Sequence, residues 1–238
     1  MSTLKLFTDP QLPRPQRVHL VINELNLDVC IQTVDLEQME HKTPDYLQLD
    51  PFRSSPLSYR LLRQPLLILY ESRAIARYLA AKYGQEHLIP DNSDMQAFEQ
   101  AACIELATFD MLLTGWFRAG VETVFFHWPI NERQGHGLLT NYMYRSYFQK
   151  DNPYPDEVMV VRLRERISEI LDVLDGILSR QEYMGGDTLS VVDLFYMPYM
   201  HCLAVSVWPS FLDSRAHLTV WWESMKGRSC YRVLSSAE

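Results

Sequence analysis

Apolar positions along the chain change period, and the changes mark out its elements. Leu4 to Phe7 is a short apolar run of the kind a buried strand makes. A turn-rich stretch, Thr8-Asp-Pro-Gln-Leu-Pro-Arg-Pro-Gln, separates it from a helical segment beginning at Arg17-Val-His-Leu-Val-Ile-Asn-Glu-Leu. Val29 to Val34 is a second strand-like run, and after the polar stretch Asp35 to Asp50 come two more, Leu57 to Leu62 and Leu66 to Tyr70. From Ser72 to Tyr83 the period becomes helical, with Ile75, Tyr78, Leu79 and Tyr83 on one stripe. The predicted order is βαβ, connector, ββα.

Gly84 to Asp94 breaks that pattern with Pro90, Asn92 and Ser93, and all that follows reads as helix. The strongest periodicity runs from Pro155 to Arg180, where an apolar stripe from Val160 to Leu178 faces away from a charged one. Gly185-Gly-Asp-Thr-Leu ends that segment. Ser190-Val-Val-Asp193 then has the spacing of a capping box, the serine hydroxyl accepting from the third helical amide and the aspartate from the amide of Ser190. The domain organisation this predicts is an α/β unit over residues 1–86 and an all-α unit over 94–238.

Composition narrows the class of protein. The 238 residues are 47% hydrophobic and 22% charged, ordinary for a globular chain. Twenty-two basic residues stand against 30 acidic ones, a net charge of −8, and no basic run is dense enough to neutralise a phosphate backbone, so nucleic acid is not an expected partner. The start of the chain has no secretory pattern, and the apolar stretch Leu194 to Trp208 is short and interrupted by Pro198 and His201. No membrane association and a cytoplasmic location are expected. Cys30, Cys103, Cys202 and Cys230 show neither disulfide-framework nor zinc-ligand spacing, so no metal is expected and each reads as a small core residue.

Three segments stand out: Glu71-Ser72 at the entrance of a helix, the capping-box stretch Asp187-Thr-Leu-Ser-Val-Val-Asp-Leu194, and His217-Leu-Thr-Val-Trp-Trp-Glu223. In this order and at these separations they resemble the glutathione transferase family, specifically its phi-like and fungal members, over essentially the whole chain. The resemblance implies a thioredoxin-like α/β N-terminal domain, an all-α C-terminal domain, glutathione as cofactor and a homodimer.

Glutathione ends in an ammonium and a carboxylate. The free amides and positive dipole of a helix start suit the carboxylate, with the Ser72 hydroxyl as a further donor and Glu71 facing the ammonium. Ser72 as a plain cap and Glu71 as a favourable first-turn anion is the competing reading. By resemblance, Ser55 and Pro56 form the cis-proline that pairs with the cysteinyl backbone, Ser54 lies beside them, and His41 and Lys42 face the glycine carboxylate. A turn proline and a solvated polar loop are the competing readings.

One departure bears on the reaction. Leu12 stands where phi-like members place a catalytic serine, and Pro13 and Pro15 lack backbone N–H groups. A thiol with a pKa near 8.5 is only about 3% ionised at pH 7, so a transferase needs something to lower it. The amide of Leu12 and the side chains of Gln11, Arg14, Arg118, His127 and Tyr142, Tyr144 or Tyr147 are the groups that could, with a solvated helix start as the competing role of Arg14 and Arg17.

The aromatic-rich segment Phe109 to Phe148 falls where the family lines its second-substrate site, so Leu12, Phe117 and Phe126 are expected to face a hydrophobic, polyunsaturated small molecule. The resemblance thus implies a glutathione-dependent enzyme of fungal secondary metabolism, a cis–trans isomerase of a conjugated polyketide olefin as in pseurotin formation. Ordinary glutathione conjugation and a non-catalytic binding module are the alternatives.

Overall fold

A computed structural model describes residues 4–8, 12–34, 43, 60–63, 67–84, 88–90, 94–116, 157–205 and 208–235. Strands β1 (Leu4–Thr8), β2 (Val29–Thr33), β3 (Arg60–Arg63) and β4 (Leu67–Leu69) form one sheet in the order β2-β1-β3-β4. β1 and β2 are parallel, joined by helix α1 (Pro13–Glu24), while β3 runs antiparallel to both β1 and β4. Helix α2 (Ser72–Tyr83) follows β4 and packs against α1, with Ile75, Ala76 and Leu79 buried. This is the βαβ–ββα order the sequence predicts. α1 starts four residues earlier than expected, because Pro13 and Pro15 sit in the first turn, where a missing N–H leaves no intrahelical bond unmade.

The remainder is helical. α3 (Met95–Ile104) continues through one π-helical turn (Glu105–Phe109) into α4 (Asp110–Trp116). α5 (Glu157–Leu178), α6 (Val191–Val205) and α7 (Ala216–Lys226) follow, with α8 (Arg232–Ser235) at the end. Every described residue of α6 from Val191 to His201 is buried, so α6 is the central helix, touched by α1, α2, α3 and α4. One apolar core runs from Leu4 and Leu6 of the sheet to Leu218 and Trp222 of α7. Among the described residues no helix is long and apolar enough to cross a membrane.

Asp193 pins the central helix. Its carboxylate accepts from the amides of Met184 (2.8 Å) and Ser190 (3.0 Å), the Ser190 hydroxyl (2.9 Å) and the Trp221 indole (3.0 Å). The predicted box is therefore half right. Asp193 does answer the Ser190 amide, but the Ser190 hydroxyl donates to the carboxylate instead of accepting from an amide, and the Asp193 amide is taken by the Ser190 carbonyl at 3.1 Å. The Leu88 carbonyl accepts from Val191 N–H at 2.8 Å, fastening the connector between the halves to the same helix start.

Two of the four cysteines are not core residues. Cys30 and Cys103 are exposed, Cys202 is partly covered and Cys230 is buried. Burial pushes the thiols of Cys202 and Cys230 up to about 12, so neither is ionised near neutral pH. No group of metal-ligating side chains is found among the described residues.

Candidate functional site

Glu71 is the N-cap of α2 and holds φ 71°, ψ 117°, a backbone conformation L-residues rarely adopt. Its carbonyl still accepts from Ile75 N–H at 2.9 Å, so the helix is fully formed behind it. Its side chain is exposed and makes no capping bond, while Ser72 beside it is 3% exposed. A strained residue thus presents a carboxylate to solvent at the positive end of a helix, an arrangement that can meet a ligand carrying both charges.

Leu12 is the N-cap of α1, with extended backbone and no side-chain cap. It packs with Phe7 against Val34, so an apolar side chain with no hydrogen bond to give stands at the helix start. Gln16 N–H is given to the Leu12 carbonyl at 3.1 Å, and the two prolines have none, leaving Arg14 as the residue between them that carries a backbone N–H.

Between the two helix starts lies an ionic cluster. Arg17 is completely buried, which overturns the reading of a solvated arginine at the start of α1. One nitrogen, Nη2, donates to Glu105 Oε1 at 2.8 Å and to Asp110 Oδ1 at 3.2 Å, while Nε donates to the Phe195 carbonyl at 3.2 Å. Its guanidinium also lies 5.3 Å from the Tyr199 ring centroid. Arg73, next to Ser72, grips Glu105 bidentately at 2.6 and 2.9 Å and reaches Asp110 Oδ2 at 3.1 Å. Arg14 Nη2 stands 3.3 Å from that same Oδ2. Thr114 donates to Asp110 Oδ1 at 3.3 Å and is hydrogen-bonded to the Tyr199 hydroxyl at 2.8 Å.

The electrostatics follow from this packing. Burial alone would raise the Asp110 carboxyl, but the charges of Arg17, Arg14 and Arg73 more than offset it and hold it far below the usual carboxylate range. Burial, then the Asp110 charge, push the Tyr199 phenol up to about 12. Among the described residues of the cluster, three guanidinium groups face two carboxylates. The cluster ties both helix starts to α4 and α6.

Of the expected site residues, the structure places Leu12, Glu71 and Ser72 on these two neighbouring helix starts. His41, Lys42, Ser54, Ser55, Pro56, Phe117 and Phe126 lie outside the described residues, as do Gln11, Arg118, His127, Tyr142, Tyr144 and Tyr147. Of the aromatic segment, Phe109 and Trp116 are described and both are buried, Trp116 stacked on Trp208 at 5.7 Å between centroids. Sequence reasoning missed Glu105 and Asp110, which had no motif to announce them.

Comparison with known proteins gives these features a context. The description "Glutathione S-transferase, N-terminal domain" matches residues 2–81, and "Glutathione S-transferase, C-terminal domain" matches residues 137–228. The chain is 34% identical to Glutathione S-transferase PM239X14 of Arabidopsis thaliana over 93% of its length and 91% of that protein's. It is 29% identical to Glutathione S-transferase hmp2 of the fungus Hypomyces subiculosus, with 93% of each covered. The solved structure of glutathione S-transferase III in apo form superposes with a TM-score of 0.77 at 28% identity, covering 99% of this chain and 96% of that one.

Proposed function

The chain belongs to the glutathione S-transferase family, and on that premise we propose that it isomerises the double bond of a conjugated polyketide olefin by adding glutathione reversibly. It is a glutathione S-transferase-like enzyme with glutathione as its cofactor. In the isomerase reading the thiolate adds to the β-carbon of an enone or polyenone, and the π pair moves onto the carbonyl oxygen as an enolate. The former double bond rotates. Return of the electron pair expels the thiolate and restores the olefin in the other geometry, so glutathione is not consumed.

The observation that carries this reading is Leu12 seated against Val34 at the start of α1, between no hydroxyl and two prolines. A substrate activated by its own conjugated carbonyl asks less of the nucleophile and lets it leave again. Glu71 and Ser72 would hold the γ-glutamyl end, Ser54, Ser55 and Pro56 the cysteinyl backbone, and His41 and Lys42 the glycine carboxylate. Leu12, Phe117 and Phe126 would face the hydrophobic substrate. The enzyme would act in the cytoplasm of a fungal natural-product pathway.

A homodimer accompanies this reading. Leu106 and Met111 are 51% and 66% exposed on one side of the α3–α4 helix, with Cys103 exposed beside them, an apolar strip suited to a second copy.

Conjugation is the second reading, supported by the relatives' being named transferases. Incubating the protein with glutathione and a Z-configured enone separates the two. A changed isomer ratio with constant total glutathione supports the isomerase; a stable adduct heavier by one tripeptide, with glutathione consumed, sinks it.

A further inference from the structure

Resting on the reading that glutathione docks at the start of α2, we infer that the Arg14 guanidinium holds the glutathione sulfur as thiolate, in the place where the chain has no hydroxyl. Arg14 and Arg73 reach the same oxygen of Asp110, at 3.3 and 3.1 Å, so Arg14 stands one carboxylate away from the residue that follows Ser72. A tripeptide spans on the order of 10 Å. Anchored by its γ-glutamyl carboxylate at Ser72, it lays its thiol over the start of α1, where Arg14 is the second helical residue.

The three arginines are graded by access. The side chain of Arg17 is 0% exposed, that of Arg73 18% and that of Arg14 33%. Arg17 and Arg73 are committed to Glu105 and Asp110, and they neutralise those carboxylates from within. Asp110 therefore fixes the direction of Arg14, which of the three arginines is the most open to solvent. Among the described residues, the charged and titratable groups packed around it are Arg17 of α1, Arg73 of α2, Glu105 of the π-helical turn, Asp110 of α4 and Tyr199 of α6. When the thiol ionises, its proton passes to solvent and the sulfur gains the guanidinium as partner. The same charge lets the thiolate depart again after addition, since a stabilised thiolate is the better leaving group.

The test is a pH titration of the thiolate absorbance of glutathione bound to the wild type, Arg14→Gln and Arg14→Lys proteins, with affinity measured by calorimetry on the same samples. The bound thiol should titrate well below free glutathione in the wild type. In Arg14→Gln it should rise by about one unit, a tenfold fall in the acidity constant of the bound thiol, with the dissociation constant, measured at a pH below both titrations, changed less than threefold. Arg14→Lys should restore most of the shift, and its intact thermal transition guards against misreading an unfolded variant. A bound thiol that titrates alike in the wild type and Arg14→Gln overturns the inference while leaving glutathione binding standing. A wild-type protein that does not bind glutathione overturns the docking premise itself.

Discussion

Glu105 and Asp110, five residues apart, accept hydrogen bonds from a single nitrogen of Arg17, at 2.8 and 3.2 Å. On an ordinary α-helix two such residues point about 140° apart. The π-helical turn closes this gap, the Asp110 amide bonding the Glu105 carbonyl in the i→i+5 pattern and bringing both carboxylates to one face. A local defect in helix geometry thus builds the cluster on which the starts of α1 and α2 rest.

Removing Arg17 leaves two buried carboxylates short of a partner. Arg17→Met should cost about 3–5 kcal/mol, as breaking a buried pair on one side does. Urea denaturation at neutral pH checks this; a loss below about 1 kcal/mol would mean that Arg73 and Arg14 satisfy the cluster without it.

Among the described residues Asp193 has four donors and no cation, so hydrogen-bond geometry holds it. Asp193→Asn keeps the size but turns an NH2 group on either the Ser190 pair or the Met184–Trp221 pair. The expected loss is about 2–4 kcal/mol, read by thermal or urea unfolding, with Trp221 fluorescence shifted in the folded state.

How much of this was legible depended on range. The Ser72–Tyr83 helix was read to the residue, because its apolar spacing and the strand before it are local facts. The start of α1 was misplaced because prolines that read as a loop are also good first-turn residues. The burial of Arg17 could not be read at all: its partners lie 88 and 93 residues away on a π-helical turn that leaves no mark in a 3.6-residue pattern. The Ser190–Asp193 spacing announced a box, but the donors from Met184 and Trp221 that redirect the serine hydroxyl come from elsewhere in the fold.

His19 gives the fold a pH dependence. Burial lowers its pKa from 6.5 to about 4, with Thr8 Oγ1 3.4 Å away as hydrogen-bond partner. The unfolded chain therefore takes up a proton that the folded one refuses. The contribution of neutral His19 is complete above the unfolded value near 6.5 and is lost as pH falls toward 4, roughly 3 kcal/mol in all. Between pH 7 and 5 the unfolding free energy should drop by about 2 kcal/mol more in the wild type than in His19→Gln. Parallel slopes in the two proteins would assign the acid sensitivity to other groups.

Glu71 separates strain from function. At φ 71° a glycine is at ease and a glutamate is not. Glu71→Gly should therefore stabilise the fold by about 1 kcal/mol, the strain relieved exceeding the entropy glycine adds to the unfolded chain. Glu71→Ala keeps the strain and loses the carboxylate. Both should bind glutathione more weakly by at least about 1 kcal/mol, since each removes the charge-assisted bond proposed to the ligand ammonium. Calorimetry with glutathione and melting curves on the same two variants give the four numbers needed. A stable Glu71→Gly protein with unchanged affinity would leave Glu71 as a strained turn and nothing more, and the ammonium would have to be held elsewhere.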